Sequence, residues 1–330
     1  MKPSQVKLAL QHLVTRQRPV FIWGPVGAGK SDVVASVAKD LKLELRDVRL
    51  NLMDPVDFKG FPVVRGTGKN EVMAFVPPDF LPAKGKGILF LDEMNSAPQS
   101  VQAAAYQLIL NRKLGNYTMP DGWAIIAAGN RAGDRSVVNA QPAALANRFV
   151  HIDFEVDLED WNLWAMANGV SDITRGFLHF KPALLHSFDA TTNPRAFPTP
   201  RSWAFVDDVL QSNLSADTEL DLIKGTVGEG AASEYLAFSR IARELPTVDE
   251  ILMNPDTAPV SDNPSTMFAV STMLDSKATP NTLGRLMTYM ARLPIEFQVL
   301  FMRSACRANR DLLKTREAIK WLSSNQAVMI

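Results

Sequence analysis

Gly24-Pro25-Val26-Gly27-Ala28-Gly29-Lys30-Ser31 decides how the rest of this chain is read. The stretch has the form G-x-x-x-x-G-K-S, and its neighbours give it a structural setting. Pro19-Val20-Phe21-Ile22-Trp23 before it is a short apolar run that predicts a buried strand, and Asp32-Val33-Val34-Ala35-Ser36-Val37-Ala38 after it opens a helix. A strand, a glycine turn and a helix N-terminus in that order make a phosphate cradle. The glycines let successive N–H groups curl round phosphate oxygens without a side chain in the way. The helix N-terminus adds partial positive charge and unpaired donors. The candidate nucleotide-binding residues are Gly24, Pro25, Val26, Gly27, Ala28, Gly29, Lys30, Ser31 and Asp32. Lys30 is expected to reach the β- and γ-phosphates, and the Ser31 hydroxyl to ligate Mg²⁺.

Working outward, four more runs predict strands: Leu43–Leu50, Gly87–Glu93, Trp123–Asn130 and Phe149–Val156. Helical stretches alternate with them, the first near the N-terminus with Ser4 as its cap and another from Pro98 to Leu110. That alternation predicts an α/β core around a parallel, doubly wound sheet. Two hairpins are expected within it. One pairs Val63-Val64 with Val72–Val76 around a glycine turn, and the other spans Asn111–Met119 with Gly115-Asn116 at its middle. Beyond Val156 only helices are expected, so the reading divides the chain into 1–156, a helical part 157–243, a connector 244–264 and a helical extension 265–330. The connector has five acidic residues, no basic ones and four prolines, whereas 265–330 has nine basic residues against four acidic.

Composition narrows the function classes. Lys and Arg together number 35, as do Asp and Glu, so no global basic field argues for nucleic acid or a charged membrane surface. Cys306 is the only cysteine, which rules out an intrachain disulfide and fits a reducing compartment. No apolar run approaches the ~18 residues of a membrane span, and the N-terminal residues lack the apolar core of a secretory signal. A cytoplasmic protein is expected.

The chemistry-bearing residues fall at the ends of the predicted strands. Asp92 suits the Mg²⁺ shell. Glu93, pointing the other way if it continues the strand, suits orienting and deprotonating an attacking water. Asn130 ends the next strand, where an open parallel sheet binds ligands, and its amide can bond the γ-phosphate. Arg148 precedes the last strand and is placed to reach a neighbouring subunit's nucleotide, with Arg131 and Arg135 as rivals. Arg201 opens a helix in the second half, with Arg195 as its rival for a γ-phosphate contact.

The order of Gly24–Ser31, Leu89–Asn95, Ala127–Asn130, Asn147-Arg148-Phe149 and Pro200-Arg201 resembles AAA+ ATPases. Asp92-Glu93-Met94-Asn95-Ser96-Ala97-Pro98 is similar to the D-E-[IM]-N-x-A-P of the MoxR-like branch, and the two hairpins resemble the helix-2 insert and pre-sensor hairpin of its wider clade. Ser96 stands where relatives often carry Arg, and Asn147 where Asp is common. The resemblance implies a P-loop NTPase αβα core with a five-stranded parallel sheet, an all-helical lid and a helical C-terminal extension. It implies ATP and Mg²⁺, with Ser31 and Asp92 on the metal, Glu93 as base, Asn130 as sensor 1, Arg148 as arginine finger and Arg201 as sensor 2. It implies a ring, usually a hexamer, that remodels a protein client, often beside a von Willebrand A domain partner. No N-K-x-D motif speaks for GTP. Two other classes share the core: a nucleic-acid motor or loader, and a nucleotide-regulated scaffold.

Three further expectations follow. Arg112, Lys113 and Tyr117 in the second hairpin, with Arg65 and Lys69 in the first, are candidates to grip a partner. Arg303, Arg307, Arg310 and Lys314 would share one helix face, as a solvated stripe or a docking surface. Met267, Val270, Met273 and Leu274 read as core.

Overall fold

The apolar runs on either side of the glycine loop become the middle of a parallel sheet. The computed structural model describes residues 1–131, 143–189, 194–212 and 214–325, and the chain divides into two compact units, Met1–Glu155 and Val156–Ile330. The first unit holds helices α1 (Pro3–Thr15), α2 (Lys30–Asp40), α3 (Pro55–Lys59), α4 (Gln99–Asn111) and α5 (Ala143–Ala146). Its strands are β1 (Val20–Trp23), β2 (Glu44–Arg49), β3 (Phe61–Arg65), β4 (Val72–Val76), β5 (Gly87–Asp92), β6 (Lys113–Leu114), β7 (Tyr117–Thr118), β8 (Trp123–Gly129) and β9 (Val150–Asp153).

Five strands form one sheet in the order β2-β5-β8-β1-β9, all parallel. Sequence and position agree. Every residue of β5 and β8 is buried, as befits central strands covered on both faces, whereas β2 and β9 at the edges keep exposed residues. One face packs Phe21, Leu89, Leu91, Ile125 and Ala127 against Val101, Ala105 and Leu108 of α4. The chain leaves β1 toward the β2 edge and leaves β8 toward the β9 edge. The carboxyl ends of these two neighbours therefore flank a topological switch point, the place where such sheets bind ligands.

Both expected hairpins are present. β3 pairs antiparallel with β4, and β6 with β7. On the first, Phe61, Val64, Val72 and Met73 are between 61% and 71% exposed. Local corrections are small and have causes. α1 begins at Pro3 with Lys2 as its N-cap rather than at Ser4, because proline's fixed φ suits the first helical position. β9 is shorter than the run Phe149–Val156. Glu93 does not continue β5: its φ of 53° turns the chain into a short 3₁₀ segment, Met94–Ser96. The backbone turn, not strand alternation, separates the two carboxylates.

The second unit is helical throughout its described residues: α6 (Leu158–Ala167), α7 (Asp172–Phe180), α8 (Pro200–Leu210), α9 (Ala216–Val227), α10 (Glu229–Ala242), α11 (Val248–Met253), α12 (Pro264–Asp275), α13 (Leu283–Met290), α14 (Ile295–Ala308) and α15 (Arg316–Ser324). Phe177, Trp203, Tyr235 and Phe238 centre one core, and Met267, Val270 and Leu274 belong to another. Residues 244–264, expected as an exposed connector, instead carry α11 with Ile251 fully buried. One acidic residue there has a local use: Glu250 forms a reciprocal capping box with Thr247. Neighbouring helices hold the stretch through its carbonyls, with Arg285 donating to Leu252 O, Arg292 to Pro255 O and the Tyr289 hydroxyl to Pro259 O.

The bond from α7 to α12 is ionic and buried. Arg175, 1% exposed, donates to Asp172 at 2.7 Å, to Asp275 at 2.6 Å and to Asn162 Oδ1 at 2.8 Å, and Asn162 in turn donates to Ser304 of α14. The single basic face expected over Arg303–Lys314 is also corrected. α14 ends at Ala308, so Arg310 and Lys314 fall in a separate 3₁₀ turn. Arg303 and Arg307 lie 3.7 and 3.1 Å from Glu159, and Lys314 lies 2.7 Å from Asp311. No helix among the described residues is long and apolar enough to cross a membrane.

Candidate functional site

The loop from Gly24 to Ser31 joins β1 to α2 at the switch point. Gly27 and Gly29 have φ of 71° and 95°, left-handed conformations that a side chain would strain. Gly29 is the N-cap of α2, so the first N–H groups of the helix face the loop rather than a capping side chain. Lys30, the first helical residue, is buried. Its ammonium donates to Gly24 O at 2.7 Å, to Pro25 O at 3.0 Å and to Asn130 Oδ1 at 3.2 Å. These three acceptors fix the cation's position.

Ser31 Oγ donates to Asp92 Oδ2 at 3.1 Å, which brings the two oxygens assigned to Mg²⁺ side by side. The other Asp92 oxygen accepts from Glu93 N. Glu93 Oε2 accepts from Ser96 Oγ at 2.9 Å and from Asn130 Nδ2 at 3.1 Å. Asn130 thus bridges the lysine and the glutamate. Its orientation is dictated, because an ammonium only donates and a carboxylate only accepts. The structure therefore brings together Lys30, Ser31, Asp92, Glu93 and Asn130 at the carboxyl ends of β1, β5 and β8.

Two contributors carried no assignment in the sequence. Asp47 on β2 lies one strand from Asp92, with Arg49 in register with Asp92. Its carboxyl is held above the usual range by burial, then by the charge of Asp92, against a lowering by Arg49. Asn95, quoted only as part of the D-E-M-N motif, accepts from Asn130 N and donates to Asn130 O. No local signal pairs Asn95 with a residue on another strand. The nearest clue is Gly129, where a Cβ would lie 2.2 Å from Asn95 Oδ1.

The arginines divide. Arg131 is tied within its own unit, donating to Phe154 O at 2.9 Å and lying 3.9 Å from Asp153. Arg148 is exposed just before β9. Arg135 lies outside the described residues. Arg195 and Arg201 are exposed residues of the second unit, Arg201 in the first turn of α8. Of the hairpin residues expected to grip a partner, Arg112 is used to close its own loop, donating to Pro120 O and Trp123 O. The Tyr117 hydroxyl donates to Pro82 O, and burial pushes its pKa up to about 12. Lys113, Arg65 and Lys69 are exposed.

A glycine loop between a central strand and a helix, with a lysine, a serine and two carboxylates converging on it, defines a P-loop NTPase fold. Residues 19–149 match the family model described as AAA domain (dynein-related subfamily), so the nucleotide-binding region is of the AAA+ kind. No curated protein sequence matches the chain. Among solved structures, RuvB of Thermotoga maritima, a Holliday junction branch migration motor, is 17% identical, with a TM-score of 0.40 over 88% of this chain and 85% of that one. NtrX of Brucella abortus in complex with ADP is 14% identical, with a TM-score of 0.38 over 97% of this chain and 67% of that one.

Proposed function

We propose that the chain is a Mg²⁺-dependent ATPase of the MoxR-like branch of AAA+ proteins, working as a ring that remodels a protein client. The observation that carries the catalytic part is the joined pair of contacts at the switch point: Lys30 to Asn130 to Glu93, and Ser31 to Asp92. One serine hydroxyl and one carboxylate form a hard oxygen set of the kind Mg²⁺ takes alongside phosphate oxygens and water. When bound, the ion neutralises charge on the β- and γ-phosphate oxygens.

In this reading the loop N–H groups and Lys30 hold the phosphates. Asn130 turns its amide to the γ-phosphate. Glu93 orients a water and takes its proton as the water oxygen bonds to the γ-phosphorus, and the bond to the β–γ bridging oxygen breaks to leave ADP and inorganic phosphate. Exposure of Arg148 supports its role as the finger offered to an adjacent copy, over Arg131, which is held at home. Arg201, rather than Arg195, is assigned the sensor role by resemblance. A protein client, such as a von Willebrand A domain partner, fits better than nucleic acid, because Arg303, Arg307 and Lys314 are paired with acidic residues of the same chain.

Glu93→Gln is expected to lower ATP turnover by at least about 10³-fold while retaining ATP, since it keeps the shape and removes the base. Turnover assays beside nucleotide-binding and ring-assembly measurements test it. Capture on the ATP-loaded variant then identifies the client. Hydrolysis stimulated by DNA or RNA in a salt-sensitive manner would overturn the protein-client reading, and absence of wild-type turnover would overturn the ATPase.

A further inference from the structure

Asn130 is the residue on which the site turns, yet it lies beyond the sheet that should hold it. The pairing of β1 with β8 ends at Trp23 and Gly129, and Gly24 N donates to Gly129 O as the last rung. Asn130 is 4% exposed, so its own N–H and C=O need protein partners. Asn95, 2% exposed, supplies both: its Oδ1 accepts from Asn130 N at 3.2 Å and its Nδ2 donates to Asn130 O at 2.7 Å. A single amide side chain thus does what another strand would do. The approach needs Gly129, since a Cβ there would collide with that same amide.

The far side of Asn95 is braced by α4. Buried Gln102 donates to Ala97 O at 2.8 Å and more loosely to Asn95 O at 3.5 Å, and its own Oε1 accepts from the Tyr106 hydroxyl at 2.6 Å. The line runs from Tyr106 and Gln102 through the 95–97 turn to Asn130, and from there to Lys30 and Glu93.

We infer that Asn95 is the positioning residue of the site: it sets where the Asn130 amide stands, and through it the placement of both the phosphate-binding lysine and the general base, with Gln102 as its support. The inference rests on the ATPase reading for its kinetic consequences but not for its geometry. Asn95 is buried with its amide engaged on the Asn130 backbone, so its loss is expected to fall on the rate of the chemical step. ADP affinity is largely spared, because the loop N–H groups are unaffected and Lys30 keeps its bonds to Gly24 O and Pro25 O. A displacement on the order of 1 Å costs about 10²-fold in such sites.

The test uses the full chain and five variants, with wild type and Glu93→Gln alongside. Asn95→Ala is expected to lower kcat about 10- to 100-fold, with the KM for ATP and the affinity for ADP each within about threefold. Asn95→Asp keeps the acceptor for Asn130 N–H but sets a carboxylate oxygen against Asn130 O, and a loss of similar size is expected. Gln102→Ala is expected to lose about three- to tenfold. Because Asn95 acts through Asn130, adding Asn95→Ala to Asn130→Ala is expected to change kcat by less than about twofold. Turnover of Asn95→Ala and Asn95→Asp within about twofold of wild type overturns the inference, and so does a full multiplicative loss in the double variant. If Asn95→Ala does not fold, Asn95→Asp and Gln102→Ala decide by the same limits. Amide hydrogen exchange at Asn130 is read without any turnover and is expected to quicken about tenfold or more in Asn95→Ala, which removes the acceptor for that N–H. Unchanged protection overturns the positioning claim, whereas a wild type that protects Asn130 yet hydrolyses nothing overturns only the ATPase.

Discussion

Each unit buries a strong cation, and the two are treated in opposite ways. Lys30 in the first unit is held by two backbone carbonyls and the Asn130 amide. Arg175 in the second is held by two carboxylates, Asp172 and Asp275, with the Asn162 amide beside them. Lys30 belongs to the glycine loop at the carboxyl ends of the strands, whereas Arg175 ties α7 to α12. Both side chains are buried and hydrogen-bonded, so burial of a cation is by itself no guide to function, whereas its place in the fold is.

Three substitutions test that contrast, from the largest expected effect to the smallest. Lys30→Ala should lower ATP turnover on the order of 10³-fold with little change in the unfolding transition, as read by turnover and thermal melting together. A large stability loss without a catalytic one would break the comparison. Arg175→Met should do the reverse. It leaves the buried carboxylate of Asp275 and the partly exposed one of Asp172 without their partner, at a cost of about 3 kcal/mol in chemical denaturation, while the Lys30 site is untouched in sequence.

The third concerns His179, which lies in the same buried neighbourhood and whose pKa is lowered to about 4 from 6.5 by burial first, then by Arg175 and Arg303. The folded chain keeps this imidazole neutral, so the stability it contributes is complete above pH 6.5. That contribution declines as pH falls, because the unfolded chain takes up the proton first, and it is gone below about pH 4. The span corresponds to about 3 kcal/mol. Denaturant titrations of wild type and His179→Gln across that range should differ in slope, and identical slopes would remove His179 from the account.

How much of this was legible in the sequence follows from how local each signal is. The cradle, its strand and its helix lie within one continuous stretch, and Asp92 and Asn130 each end an unmistakable apolar run, so the site's main residues and the five sheet strands could be read directly. Contacts between distant residues could not. The amide pair of Asn95 and Asn130 joins two strand ends, and nothing within the D-E-M-N motif says which backbone Asn95 will meet. Alternation gave Glu93 the right separation from Asp92 for the wrong reason, because a left-handed φ leaves no mark in the side-chain pattern.

Charge runs were the least readable feature. The basic stripe assumed a helix continuous through Asn309, but the helix stops at Ala308, and Arg307 meets Glu159, a residue of α6. The acidic stretch at 244–264 likewise resembled a linker because caps and linkers favour the same residues. Arg112 and Tyr117 looked available because a hairpin turn predicts exposure, not whether a side chain folds back on a nearby carbonyl.

The β3–β4 ribbon has a consequence for the protein in bulk. Phe61, Val64, Val72 and Met73 present apolar area to water from a ribbon of two strands, and a formal net charge of zero supplies little mutual repulsion between molecules. Colloidal behaviour is then set by this small greasy paddle more than by the bulk of the surface. Sulfate or phosphate salts, which drive apolar area together, should bring the protein out of solution early, and a charged residue in place of Met73 should delay the cloud point.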